Sequence, residues 1–99
     1  MDGIGSDIQL ERRGHRGRYT LPMPDGEPAE LTFVESEPGH IIIDHTWVPP
    51  RHRGQRAALK LVVRAVADAR AAGIRITPLC RYVATEFRHH PEWADVLKG

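Results

Sequence analysis

Between Ile41 and Thr77 the hydrophobic pattern changes period twice, and that switch limits the folds open to the chain. Ile41-Ile42-Ile43-Asp44-His45-Thr46-Trp47-Val48 is β-branched, apolar on both faces at its start, and stopped by Pro49-Pro50, which reads as a central strand. From Gly54 an alanine-rich stretch follows, with Leu59, Val62, Val63 and Val66 placed on a helical apolar face and Gly73 as its stop. Ile74-Arg75-Ile76-Thr77 then alternates as a strand closed by Pro78. A strand, a helix and a second strand in one sheet form a right-handed crossover with parallel strands. The strand ends and the helix start therefore share one edge of the sheet.

Upstream the punctuation is that of hairpins. Residues 7 to 12 and 18 to 21 read as two strands joined near Gly14, and Leu31-Thr32-Phe33-Val34 as a third. Pro38-Gly39 supplies the turn into the Ile41 strand. Downstream, Val83 and Phe87 predict a short helix ending before Pro91, and Trp93, Val96 and Leu97 an apolar C-terminal patch. The fold class expected is α/β of the α+β kind: a mixed, mostly antiparallel sheet with one parallel βαβ unit. One long helix packs on that sheet, and the C-terminus is a short helix. With 99 residues, the whole of 1–99 is expected to be a single domain.

Apolar runs of three residues are far too short for a membrane helix, and the first residues carry neither a basic nor an apolar signal region. A cytoplasmic protein is expected. The lone cysteine, Cys80, excludes an internal disulfide framework. Adjacent His89 and His90 diverge on a helix and make a poor chelate, so no metal site is expected.

The net charge of +1 conceals a segregation: residues 1 to 50 hold four Arg against nine acids, and residues 51 to 99 hold ten basic residues against four acids. Arg51, Arg53, Arg56, Lys60 and Arg64 follow one another with no intervening acid. The loop from Pro49 to Gly54 enters the helix at the ligand-favoured edge, where exposed backbone N–H groups, the helix dipole and Arg51, Arg53 and Arg56 would all attract an anion such as a phosphate. Lys60 and Arg64, farther along, read as a solvated face. His45 and Cys80 are expected to converge on one side of this anion site, because each lies at the C-terminal end of one of the two parallel strands. Nucleic-acid binding is disfavoured by the small net charge and by the lack of aromatics among the arginines.

His45-Thr46-Trp47-Val48-Pro49, then Arg53-Gly54-Gln55, the alanine-rich helix, Pro78-Leu79-Cys80 and His90-Pro91-Glu92 resemble the small single-domain branch of the GCN5-related N-acetyltransferases. Three positions depart from that branch: Arg56 stands where glycine is usual, Arg81 where proline follows the cysteine, and Trp93 where tyrosine or phenylalanine is usual. The resemblance implies an acetyl-CoA (CoA) site formed by Trp47, Val48, Arg53, Gly54, Gln55, Arg56, Ala57 and Ala58. It also implies acetyl transfer to a primary amine, with His45 and Cys80 as the catalytic candidates. In one route the amine attacks directly and His45 takes its proton; in the other, Cys80 first becomes an acyl-enzyme. The alternative is a non-catalytic CoA- or nucleotide-binding module. Larger relatives insert helices after their first strand, whereas here only Arg13 to Arg16 fill that gap. The acceptor side should therefore be open, suiting a protein lysine or a polyamine.

Overall fold

The computed structural model describes residues 7–24, 26–54 and 56–98. Strands β1 (Gln9–Arg13), β2 (Arg16–Leu21), β3 (Ala29–Glu37) and β4 (His40–Trp47) are followed by helix α1 (Ala57–Ala72), strand β5 (Arg75–Pro78) and helix α2 (Arg81–His89). A 3-10 turn over Pro50–His52 links β4 to α1, and a 3-10 helix over Pro91–Val96 follows α2. The sheet runs β1-β2-β3-β4-β5 in sequence order, antiparallel through β4 and parallel from β4 to β5. The mixed α/β architecture expected from the period switch is the one observed, with strand limits moved by one to three residues.

Alternation along β3 decides which face is covered. Ala29, Leu31 and Phe33 are buried, and their neighbours Glu30, Thr32 and Val34 are only partly so. α1 lies on the buried face, and its inward stripe is Ala57, Leu61, Val62, Ala65, Val66 and Ala69. This corrects the expected stripe: Val63 is 48% exposed and Leu59 is only partly buried. The reason is a rotation of the helix that puts small alanines against the sheet and lets the backbone approach closely. Val83, Phe87, Trp93 and Val96 extend the same core, with Phe87 and Trp93 in an edge-to-face pair at 5.3 Å.

Arg64 is also corrected. Rather than sitting on a solvated face, it donates from Nε to Asp68 at 2.9 Å and from Nη1 to the Ile8 carbonyl at 3.2 Å, and it lies over the Tyr19 ring. Tyr19 donates its hydroxyl to the same Asp68 at 2.7 Å. This cluster fastens α1 to the N-terminal strands, and burial, with Asp68 beside it, pushes the Tyr19 phenol up.

Gly17 in β2 shows how tightly the sheet is filled: a Cβ there would overlap the Phe33 ring. Gly17→Ala must push aside a buried ring, and we expect a loss of about 2 kcal/mol in urea unfolding. A loss below about 0.5 kcal/mol would show that Phe33 has room to move.

Candidate functional site

β4 and β5 pair only from His40↔Arg75 to Ile43↔Pro78. At that last rung the Ile43 carbonyl accepts two hydrogen bonds, from Leu79 N at 3.0 Å and Cys80 N at 3.1 Å. β5 then turns away into α2, while β4 runs on through Asp44–Trp47 with no strand beside it on that edge among the described residues. Backbone polar groups on an unpaired strand edge are ready partners for an extended ligand.

A β-bulge falls at the same place. Thr32 pairs with His45 and Phe33 with Ile43, so Asp44 is an extra residue. Beyond it the alternation is reset. His45 and Trp47 pair with Thr32 and Glu30 on the face away from α1, while Thr46 pairs with the buried Leu31 on the helix-covered face. His45 Nε2 lies 3.6 Å from Glu30 Oε2, and Thr32 donates to Asp44 Oδ1 at 2.7 Å.

Cys80, at the N-cap of α2, meets Thr46: their Sγ and Oγ1 atoms are 3.5 Å apart. His45 and Cys80 thus reach the same sheet edge, as the topology requires, but they do not converge. The bulge assigns the β4 neighbours His45 and Thr46 to opposite faces, and it is Thr46 that meets the thiol.

A cleft of about 720 Å³ opens where the overhanging end of β4 faces the start of α1 and one side of α2. Of the residues proposed from sequence, Trp47, Val48, Arg53, Gly54, Arg56, Ala57 and Ala58 all line it; Gln55 lies outside the described residues. Arg53 is held by a hydrogen bond from its Nε to the Val48 carbonyl at 2.9 Å, so it ties the loop back to the strand it leaves. Arg56 makes no ion pair among the described residues.

The backbone here is unusual. Gly54 has φ +88, and Arg56, the N-cap of α1, has φ +66 with no side-chain cap. Arginine carries a Cβ into a left-handed conformation that glycine occupies at little cost. The expected glycine position therefore keeps the glycine backbone while bearing a cationic side chain.

Sequence reasoning missed the wall formed by Tyr82, Glu86, His89 and His90 of α2 and its C-cap. Tyr82, Glu86 and His90 recur at four-residue spacing, on the flank beside the buried Val83 and Phe87, so helical periodicity was a signal that could have found them. His90 stacks on Trp93 at 4.1 Å and is flanked by Glu86 at 3.4 Å and Glu92 at 3.0 Å. Burial, with the Glu86 carboxylate nearby, pushes the Tyr82 phenol up to about 12. Tyr82 thus keeps its proton at neutral pH and presents a donor to the cleft.

A family model described as GCN5-related N-acetyl-transferase matches residues 18–96. The NMR solution structure of a GCN5-like protein from Staphylococcus aureus superposes with a TM-score of 0.72 at 23% identity, covering 95% of this chain and 91% of the other. No curated protein matches the chain.

Two outcomes are expected. Arg56→Gly should stabilise the fold by about 1 kcal/mol in urea unfolding, because it relieves a left-handed arginine; a loss of stability would mean that the side chain has packing worth more than the strain. Stability should also fall as pH rises from 10 to 12. The unfolded phenol ionises near 10, while folded Tyr82 holds its proton to about 12. Tyr82→Phe should flatten part of that decline in pH-dependent melting, and the remainder would come from Tyr19.

Proposed function

Because the chain belongs to the GCN5-related N-acetyltransferase family, we propose that it transfers an acyl group, acetyl in our reading, from acetyl-CoA to a primary amine. The observation that carries this reading is the junction of an unpaired β4 end with the uncapped start of α1, at a cleft where Arg56 has no ion pair among the described residues.

The residues present suit such a ligand. Arg56 and the first N–H groups of α1 would hold the pyrophosphate, since both the charge and the dipole favour an anion there. The free edge of Asp44–Trp47 would pair with the amide groups of an extended pantetheine arm, and the cleft volume lies within the usual range for small-ligand sites. In this reading Arg53 is a strap that keeps the loop against Val48. Bound acetyl-CoA supplies the activated thioester. A backbone N–H of the β4 end would donate a hydrogen bond to the thioester carbonyl oxygen and stabilise the negative charge that develops on it.

Transfer forms a C–N bond and breaks the C–S bond, so a proton must leave the amine and one must reach the departing thiolate. His45, on the face open to an acceptor, is suited to the first task, and the Tyr82 hydroxyl, inside the cleft, to the second. Cys80 remains the candidate for an acyl-enzyme route, in which Thr46 rather than His45 is its hydrogen-bonding neighbour. β1 and β2 are joined through Gly14-His15 alone, so among the described residues no helix stands over the face bearing His45. An exposed amine, such as a protein lysine or a polyamine, can approach there.

Acetyl-CoA or CoA at 100 times its Kd should stabilise the fold by about 2.7 kcal/mol, visible as a shift of several degrees in Tm. Gly54→Glu, which sets a carboxylate in the phosphate path, should abolish the shift. An unshifted wild-type protein at millimolar CoA would sink the proposal.

The two routes separate at Cys80. If transfer is direct, Cys80→Ala keeps most of its rate and His45→Ala loses about 10²- to 10⁴-fold. If Cys80 is acylated on the pathway, acetyl-CoA alone adds one acetyl mass at Cys80 faster than the amine is consumed.

A further inference from the structure

The face of the sheet away from α1 carries a second groove, of about 610 Å³, that the cleft and its chemistry do not use. Glu11, Arg13, Arg16, Arg18 and Thr32 line it from that face, while Arg12 and Gly17 border it from the strand edge, Arg12 reaching over the Phe33 ring on the other face. The four arginines are the only ones in an otherwise acid-rich first half of the chain, and the fold gathers them on one hairpin.

The arrangement is costly in one respect. Arg13 and Arg16 stand directly opposite each other across the β1–β2 pair, where like charges destabilise. Neither is well neutralised. Arg13 makes no ion pair among the described residues, and Arg16, 70% exposed, has its nearest carboxylate, Asp44, at 3.9 Å. Arg12 and Arg18, by contrast, are engaged by Glu35 and by Glu11 and Glu30. Two guanidiniums thus remain available for an anion that comes from outside.

The register ties this groove to the proposed acceptor side. Glu11, Arg18, Thr32 and His45 form one rung across four strands on the same face. Thr32 lines the groove and is the cross-strand partner of His45, so Arg18 lies two strand spacings, about 10 Å, from the proposed base.

We propose that the Arg13–Arg16 groove binds an anionic group of the acceptor, a carboxylate or a phosphate, with the Arg16 and Arg13 backbone roughly 12 and 16 Å from His45 across the sheet. This rests on the acyl-transfer reading and narrows it: a lysine flanked by acidic or phosphorylated groups is favoured over a polyamine, whose every charge the groove repels.

The test uses peptides with one lysine flanked by glutamate, by phosphoserine or by alanine, and spermidine as a fourth acceptor. Glutamate or phosphoserine peptides should exceed the alanine peptide in kcat/KM by about tenfold at low salt, as two or three exposed ion pairs allow, with the gap closing at 0.5 M salt. The ratio of the first two tells which anion is preferred. The paired substitution Arg13→Glu with Arg16→Glu should erase or invert the order, with circular dichroism melting reporting that the variant is folded. Equal kcat/KM for all acceptors, or an order that survives in the variant, would overturn the proposal.

Fluorescence anisotropy of the labelled glutamate peptide separates the two readings. Binding that the double variant loses, without transfer to any acceptor, supports the groove and sinks acyl transfer; no binding to the wild-type protein overturns the groove.

Discussion

The Ile43 carbonyl is where the sheet stops being a sheet. By accepting from both Leu79 N and Cys80 N it ends the parallel pairing and turns β5 into α2, while β4 continues alone. The wedge that opens beyond Ile43 depends on that divided acceptor. The bulge at Asp44 adds curvature and local twist at the same level. Without these two irregularities, the edge of β4 would be occupied by β5 and the start of α1 would face a closed surface.

Much of this was legible from residue order. The change of period around Gly54 and again at Gly73 required a βαβ crossover, and a right-handed crossover carries the loop from Pro49 to the edge that α1 enters. The same crossover brings seven of the eight residues that the family resemblance implied for the cofactor to one cleft, the eighth, Gln55, being outside the described residues.

The failure over His45 and Cys80 has a definite cause. Topology places both residues at one edge, but the face each uses depends on counting by twos along β4, and a single inserted residue resets that count. Nothing in Ile43-Asp44-His45-Thr46 announces a bulge. Arg64 was misread for a related reason, since its partners are Asp68 in its own helix, Tyr19 in β2 and Ile8 just before β1, and only the first is visible from helical spacing.

Arg56 shows how the local rules and the site pull in different directions. Helix starts favour Ser, Thr, Asp or Asn at the cap, and a left-handed residue there favours glycine; arginine satisfies neither preference. A capping carboxylate or hydroxyl would satisfy the first N–H groups of α1 internally and place its own oxygen where the proposed phosphate would sit. Arginine leaves those donors free and adds a positive charge beside them. Its strain of about 1 kcal/mol is affordable because α1 is anchored elsewhere, by its alanine and valine stripe against β2 and β3 and by the Arg64, Asp68 and Tyr19 cluster. The same division of labour recurs across the molecule. The helix-covered face of the sheet supplies the packing that holds the fold, and this allows the β4 edge and the opposite face to keep unpaired backbone and crowded arginines, features that a stability criterion alone would remove.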